Sequence, residues 1–288
     1  MLSSKKIPIL MYHSISHSLN PKFVQFTVPP TRFAEQMAYL YAYGYTPMTV
    51  TQYVDATKKH LPEKPVVLTF DDGMEDFFTG ALPILTRYSF PATLYITTAF
   101  VGGTCSWLRR EGESARLMLT WEQIAQIQAS GIECSAHSHT HPQLDMLSSS
   151  MAQDEIVASK QILEEHLGQR VTSFAYPYGY YTITTQRLAQ AAGYTSACAV
   201  KHAMNAEETD PFALTRLMVK ASTNEEEFVA LLTGKSTYAT TLFTAYARMR
   251  TPVWQWVRKS PAYRLVQSQS VGTDLSRPLN NHPSARTR

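Results

Sequence analysis

Two groups of polar residues in this sequence have types and spacing that suit chemistry. In the first group, Asp71 and Asp72 follow the apolar run PVVLTF, and Gly73 comes next. Two adjacent carboxylates cannot both be buried cheaply unless a positive group lies beside them. Because Asp also caps helices and Gly favours turns, these three residues alone are equally consistent with a turn at a helix N-terminus.

The second group is the segment HSHTH, which holds His137, His139 and His141. His137 and His141 are four residues apart, so one helical turn or a tight loop would bring both rings to one side. Alternating histidines in a polar loop are seldom core residues, and imidazole is a common metal ligand. Two imidazoles and one carboxylate leave an open coordination position, as in catalytic zinc sites. With one Asp completing the metal site and the other taking a proton from an attacking water, the residues predict a hydrolase.

These residues lie in a chain in which short β-rich runs alternate with helical ones up to about residue 230. Such alternation predicts a parallel sheet covered by helices. We expect residues 1–235 to form a single distorted (β/α) barrel of about seven parallel strands, an α/β fold whose chemistry collects at the carboxyl ends of the strands. The polar residues at predicted strand ends are His13, Asp71, Asp72, His137, His141 and Tyr178.

The composition is that of a globular protein and excludes membrane-spanning and disulfide-rich classes. Of the 288 residues, 44% are hydrophobic and 17% are charged, which is typical of a globular protein. No apolar run reaches the roughly 18–20 residues of a membrane span. The short apolar stretch near the N-terminus does not resemble a signal peptide, so a cytoplasmic or peripheral location is expected by default. Three scattered cysteines are too few for a disulfide framework and are expected to be free.

The net charge of +3 is unevenly distributed along the chain. Residues 241–288 hold eight Lys or Arg and one acidic residue, whereas residues 1–240 hold 18 basic and 22 acidic residues. Since nucleic-acid enzymes usually carry basic charge on the catalytic body, no nucleic-acid partner is expected. The basic, aromatic extension 236–288 is interpreted either as a packed helix with a partly disordered end, or as a peripheral membrane or oligomer contact through Trp254 and Trp256. The sequence leaves the oligomeric state open.

The two motifs together resemble the polysaccharide deacetylase family, the chitin deacetylase and nodulation-type group of carbohydrate esterases. TFDDG matches the first motif of this family, and the resemblance implies that Asp71 is the general base and Asp72 a metal ligand. HSHTHPQL matches the His-(Ser/Thr)-x-x-His motif and implies that His137 and His141 are the other ligands. The implied cofactor is a divalent metal, first of all Zn²⁺, with Co²⁺, Ni²⁺ or Fe²⁺ as alternatives.

The resemblance also implies roles for neighbouring residues. Ser138 would orient the histidine loop, and His139 falls at a variable position. AYPYG is similar to a third motif, Arg-x-Pro-Tyr, which implies that the N–H of Tyr178 helps to hold the oxyanion. The family's Arg, which steadies the base, is replaced here by Ala175. Arg216 is the candidate substitute, and its alternative is a structural salt bridge.

A further departure concerns the general acid. Many members of the family supply a histidine from a Leu-x-His motif near the carboxyl end, but His202 and His282 lie in no such context. The segment ILMYHSI before TFDDG resembles the circularly permuted branch of exopolysaccharide, or poly-N-acetylglucosamine, deacetylases. In that branch the N-terminal strand takes the place of the last one. His13 is then the implied general acid, and its alternative is a hydrogen-bonded core histidine.

The resemblance implies hydrolysis of N-acetyl groups on an N-acetylglucosamine-containing poly- or oligosaccharide, with a role at the cell envelope or outside the cell. One alternative is an O-acetyl esterase or small-amide hydrolase on the same scaffold. Another is a catalytically impaired saccharide-binding barrel, which Ala175 favours. The aromatic residues that would suit either stacking on sugar rings or barrel packing are Tyr176, Tyr180, Tyr181 and Trp121.

Overall fold

The computed structural model of the chain describes residues 6–17, 20–56, 61–206 and 208–235. Backbone contacts divide the chain into two units, Met1–Thr241 and Leu242–Arg288, and the described residues all belong to the first. The extension 236–288, with its proposed membrane or oligomer contact, lies outside the described residues. The predicted domain boundary therefore stays a prediction.

The described residues form short strands and helices in alternation. The strands are β1 (Ile9–Tyr12), β2 (Ser14–Ile15), β3 (Thr27–Val28), β4 (Thr46–Met48), β5 (Pro65–Phe70), β6 (Thr93–Ile96), β7 (Glu133–Ala136), β8 (Ser173–Ala175), β9 (Ser196–Cys198) and β10 (Leu217–Met218). The α-helices are α1 (Pro30–Ala42), α2 (Val50–Ala56), α3 (Leu82–Arg87), α4 (Trp121–Ala129), α5 (Ser149–Leu167), α6 (Ile183–Ala191) and α7 (Glu225–Thr233).

One parallel sheet contains all the strands except β2 and β3. Its order is β10–β1–β5–β6–β7–β8–β9, and β4 pairs with the first half of β5. Beyond β9, the N–H of Leu214 donates to the carbonyl of Ala197 at 3.1 Å, and the N–H of Ala199 donates to the carbonyl of Leu214 at 2.7 Å. Because the segment of Leu214 continues through Thr215 and Arg216 into β10, and β10 pairs with β1, the sheet closes into a distorted barrel. The predicted fold class is confirmed.

Side-chain alternation along β5 separates two buried clusters. Val66, Leu68 and Phe70 pack in the large core between the sheet and the helices. Val67, which points to the opposite face, packs in a second cluster inside the barrel. The same period of two places Asp71 on the interior side where β5 ends, because successive side chains of a strand point to opposite faces.

Helix α2 closes the end of the barrel at which the strands begin. Val50 and Tyr53 of this helix are buried in the interior cluster. The N–H of Val50 donates to the hydroxyl of Thr93, the first residue of β6, at 2.9 Å. The hydroxyl of Thr51 donates to the carboxylate of Glu133, the first residue of β7, at 2.5 Å. The interior is therefore filled at this end, and the opposite end carries the polar residues.

The segment after the Asp-Asp-Gly motif does not form one continuous α-helix. Residues Phe77–Ala81 are π-helical, and α3 follows with Pro83 in its first turn, where a missing N–H costs little. Gly80 lies against β2, since a Cβ there would be 2.2 Å from the carbonyl oxygen of Ile15. This close approach packs the strand that directly follows His13 against the helical segment.

Cys134 and Cys198 are buried and free, as predicted, and Cys105 is buried and free as well. Burial raises the pKa of Cys134 to about 12 and that of Cys198 to about 11, so both thiols stay protonated at neutral pH. Among the helices of the described residues, none has the length and apolar composition needed to cross a membrane.

Candidate active site

Strand register brings three of the predicted site residues to one edge of the sheet. Tyr12 pairs with Phe70, so His13 and Asp71, which follow them, leave neighbouring strands side by side. The N–H of Asp71 donates to the carbonyl of Tyr12 at 3.0 Å, which extends the pairing by one residue. His137 directly follows β7 at the same edge, where its N–H donates to the last carbonyl of β6.

The backbone turns sharply at Asp72, and this turn directs its carboxylate toward the histidines. Asp72 has φ +78° and Gly73 has φ +82°, two successive left-handed residues. A non-glycine residue in this region is uncommon, and such residues cluster at active sites and ligand-binding turns. Oδ1 of Asp72 lies 3.6 Å from Nε2 of His137 and 3.3 Å from Nε2 of His141.

Asp72, His137 and His141 form a compact group of potential metal ligands. One ligand atom from each lies within 4.8 Å of the others. All three side chains are buried, and the most exposed of them, His141, is only 7% exposed. His139 is not part of the group, since its Nδ1 lies 2.9 Å from the hydroxyl of Thr98.

The protonation state of His137 leaves its Nε2 able to bind a metal. Its Nδ1 lies 2.8 Å from the carbonyl oxygen of Ala175. Because a carbonyl only accepts, the proton is on Nδ1, and the lone pair of Nε2 faces Asp72. Burial lowers the pKa of His137 to about 4, which keeps the ring neutral, as a ligand must be. Two neutral imidazoles and a carboxylate are a donor set that fits a divalent metal such as zinc.

Asp71 is held by an arginine rather than by the histidines. Nη1 of Arg216 lies 2.5 Å from Oδ1 of Asp71, and Nη2 lies 2.7 Å from Oδ2. Arg216 is fully buried, and its Nε also donates to the carbonyl of Ala199 at 3.3 Å. Burial alone would raise the pKa of Asp71, but the charge of Arg216 outweighs it, so the pKa is lowered. The carboxylate is therefore ionised at neutral pH and fixed in one orientation.

The loop that carries the histidines has an unusual backbone. Ser138 has φ +62° and His141 has φ +60°. The hydroxyl oxygen of Ser138 accepts the N–H of His141 at 3.1 Å, so Ser138 contacts the loop in the manner that its predicted orienting role requires. His141 also packs between two aromatic rings, Trp107 at 5.2 Å and Tyr178 at 4.8 Å between ring centres.

The aromatic residues at this rim overlap only in part with those that the sequence suggested for stacking on sugar rings. Tyr178, at φ +59°, is 49% exposed, and the ring of Tyr180 lies 6.4 Å away at an interplanar angle of 19°. Tyr176 is fully buried, and one face of Trp121 stacks on His166 of α5, so both rings make packing contacts within the protein. Trp107, in the short 3₁₀ helix Ser106–Arg109, has no signal in the sequence because its segment, CSWLRR, matches no motif.

His13 lies between β1 and β2 and is half-buried. Its Nδ1 is buried and has no hydrogen-bond partner among the described residues, and its ring packs 5.1 Å from that of Phe26. Burial alone would raise the pKa of Asp72. The hydrogen bond with His141 and the electrostatic interactions with His141 and His13 outweigh burial, so the net pKa of Asp72 is lowered. His13 is thus within electrostatic reach of the ligand group.

Known proteins share this sequence pattern and this fold. Residues 58–197 match the profile of a family described as polysaccharide deacetylase. The Bacillus subtilis (strain 168) protein YxkH, described as a polysaccharide deacetylase, is 29% identical over 230 residues, which is 79% of this chain and 76% of YxkH. The chain is therefore similar to the polysaccharide deacetylase family, and the matched residues include the Asp-Asp-Gly and histidine motifs. Members of this family are hydrolases.

Two further relatives of the family extend the comparison. The Streptococcus pyogenes deacetylase PplD, solved in complex with acetate, has a TM-score of 0.70 and 29% identity, covering 80% of this chain and 99% of PplD. The Escherichia coli (strain K12) poly-β-1,6-N-acetyl-D-glucosamine N-deacetylase is 32% identical over 118 residues, which is 39% of this chain and 18% of that protein.

The structure accounts for the departure from the family's third motif. Ala175, where the motif has Arg, is buried inside the barrel in one cluster with Tyr95 and Cys198. The guanidinium of Arg216 enters the same interior, with its central carbon 5.5 Å from the centre of the Tyr95 ring. A positive charge therefore reaches Asp71 from the segment before β10 instead of from β8.

Proposed function

We propose that this chain is a metal-dependent deacetylase that removes N-acetyl groups from an N-acetylglucosamine-containing poly- or oligosaccharide. The observation that carries the proposal is that Asp72 joins His137 and His141 in a ligand group while the adjacent Asp71 is held apart by Arg216. Two neighbouring carboxylates thus have different environments, which is how one site obtains both a metal ligand and a base. The name of the E. coli relative supports the substrate class, and that of PplD, a deacetylase solved with acetate, supports the reaction.

Asp72, His137 and His141 would hold the metal, with Zn²⁺ first and Co²⁺, Ni²⁺ or Fe²⁺ as alternatives. When bound, such a metal polarises the amide carbonyl and lowers the pKa of a water to about 7. The Nδ1–H of His137 stays with the carbonyl of Ala175, so the ring keeps its orientation while Nε2 serves as the ligand.

Asp71 takes the proton of the attacking water. Its lowered pKa keeps it ionised at neutral pH, and the two hydrogen bonds from Arg216 fix its oxygens. His13 protonates the leaving amine, and the products are the free amino sugar and acetate. The N–H of Tyr178 donates to the carbonyl oxygen as that oxygen gains negative charge, an interaction whose loss commonly costs about 3–4 kcal/mol of barrier.

The Asp71–Arg216 pair also counts against the impaired saccharide-binding barrel. Ala175 favours that alternative because the charge next to the base is missing from its usual position. Arg216 supplies a guanidinium to the same carboxylate at 2.5 and 2.7 Å, which supports Arg216 as the substitute for the missing Arg. An exopolysaccharide substrate would place the work of this chain at the cell envelope, and that location is part of the proposal.

Acetate release from N-acetylglucosamine oligomers tests the proposal. The purified chain should release acetate with added zinc, lose this activity after chelation and regain it when zinc returns. Asp71→Asn should keep its zinc and lose at least about 100-fold in turnover, the usual contribution of a general base. Asp72→Ala should lose both zinc and activity.

Each outcome of this experiment tests a different part of the proposed function. Asp71→Asn turning over at the wild-type rate would rule out the general base. Release that persists after complete removal of metal would rule out metal dependence. Acetate release from O-acetylated sugars alone would show an esterase, and zinc binding with no release from any substrate would show the binding barrel.

A further inference from the structure

The two histidine ligands are connected by a loop of three residues, and the loop is held in a conformation that its sequence does not favour. Ser138 and His141 both have positive φ values, of +62° and +60°, although neither is glycine. Such residues persist only where their surroundings over-determine the conformation. Since only residues 138–140 separate His137 from His141, any shift of this backbone moves the second ligand relative to the first.

Glu155 of α5 makes the charged contacts to this loop. Its Oε2 accepts the N–H of His139 at 2.9 Å and the N–H of Thr140 at 2.7 Å. Its Oε1 accepts the hydroxyl of Thr140 at 2.5 Å. Hydrogen bonds to a carboxylate are roughly twice as strong as those between neutral groups. Successive N–H groups that converge on one anion form a nest, which fixes the backbone that carries them.

The position of Glu155 itself is fixed by packing. Ala152 and Ile156, on the buried face of α5, are 1% and 0% exposed. The other side of the loop is held by neutral contacts, in which the N–H of Ala99 donates to the carbonyl of His139 at 2.9 Å. Glu155 is therefore the charged partner in an otherwise neutral set of loop contacts among the described residues.

We propose that Glu155 is a positioning residue for the metal site. By binding the backbone N–H groups of His139 and Thr140, it sets where His141 places its Nε2 relative to His137 and Asp72. The inference rests on the proposed metal-dependent function, and it assigns a role to a residue that contacts neither a ligand ring nor the substrate.

Glu155→Gln tests this role with zinc affinity as the readout. The substitution replaces one accepting oxygen by an amide nitrogen that cannot accept, and it removes the negative charge. Zinc affinity of the purified full chain, measured by competition with a chromophoric chelator and without substrate, should weaken by about tenfold, the lower end of the effect of outer-sphere partners. The matched control is Asp154→Asn, which removes the same charge from the neighbouring, exposed position on α5.

Thermal unfolding separates positioning from a merely structural contribution. With positioning, the rise in Tm that zinc produces should be smaller for Glu155→Gln than for the control, because weaker binding stabilises the folded state less. Glu155→Asp, which keeps the charge but shortens its reach, should fall between the wild type and Glu155→Gln in zinc affinity.

The possible results distinguish this inference from the function on which it rests. Zinc affinity of Glu155→Gln within twofold of the wild type would overturn the positioning role alone, even if the zinc-free protein were less stable. A wild-type chain that binds no zinc would overturn both the metal site and the positioning role. Tight zinc binding that depends on Glu155, without acetate release from any saccharide, would overturn the proposed function and leave the positioning role standing.

Discussion

Arg216 and Asp71, 145 residues apart in the sequence, are joined by two hydrogen bonds of 2.5 and 2.7 Å inside the barrel. The guanidinium comes from the segment directly before β10, and the carboxylate lies at the end of β5. Two donors in a fixed fork leave the carboxylate one orientation. The orientation of the proposed base is thus set by Arg216, directly before the strand that closes the barrel.

Arg216→Met should move the acidic limb of the kcat/KM profile for acetate release to higher pH. Burial raises the pKa of Asp71, and the charge of Arg216 lowers it. Without that charge burial prevails, so the carboxylate takes up its proton at a higher pH and the base is lost there. Arg216→Lys, which keeps the charge without the fork, should shift the limb less. A limb that does not move in Arg216→Met would assign it to a group other than Asp71.

Arg216 and Asp71 should show a large coupling energy in a double-mutant cycle of the free energy of unfolding. Arg216→Met leaves the carboxylate buried and unpaired, and breaking a buried ion pair costs about 3–5 kcal/mol. When Asp71→Asn is added, no charge is left unpaired, so the double variant should lose less free energy of unfolding than the sum of the singles. Urea unfolding in the presence of a chelator measures the cycle without a metal contribution. Additive losses would show that the two side chains do not stabilise each other.

Tyr180→Ala should raise KM for longer oligomers more than for the disaccharide, while kcat stays unchanged. The ring of Tyr178 lies 4.8 Å from that of His141, and the ring of Tyr180 continues from it at 6.4 Å and 19°. Two nearly parallel faces that lead away from the ligand group suit successive sugar rings. A stacking contact of about 1 kcal/mol corresponds to a roughly fivefold change in KM. Tyr180→Phe is the control, and an equal KM for both variants would exclude ring stacking.

Gly80→Ala should lower both stability and turnover. A Cβ at this position would lie 2.2 Å from the carbonyl oxygen of Ile15, so β2 must move away. Overpacking of this kind costs about 1–3 kcal/mol. Since β2 begins directly after His13, kcat should fall as well. Gly103→Ala, whose Cβ would lie 3.3 Å from a carbonyl oxygen, is the milder control for unfolding and kinetics. A kcat unchanged in Gly80→Ala would separate His13 from the packing of β2.

Elements with their own periodic pattern and end signals are the ones that the sequence predicted well. Helix α5 ends at Gly168, which has φ +65°, because a glycine directly after a helical pattern is a common end signal. Pro83 lies where the π-helical residues after the Asp-Asp-Gly motif give way to α3, a break that a proline in a helical pattern indicates. The carboxyl ends of the parallel strands collect the polar residues, because strand and helix alternate along the chain.

Features that depend on distant contacts could not be predicted. Strand β10 has two residues, too few for any period, and it exists because it pairs with β1. Strand β4 contains Pro47, which normally argues against a strand. Glu155 and Trp107 acquire their places at the site only when a helix and a loop pack against the histidine segment. Arg216 was a candidate because the motif lacked its Arg, but no spacing rule connects it to Asp71.

The filling of the barrel by α2 has a consequence for how a polymer is processed. Val50 and Tyr53 occupy the interior at the end where the strands begin, so among the described residues the ligand group is approached from the opposite rim. For the proposed saccharide substrate, the strand would lie across this rim and place one acetamido group inward, instead of threading through the barrel. Sugars in the middle of such a strand would then be as accessible as those at its termini, and acetate would leave on the side where the acetamido group enters.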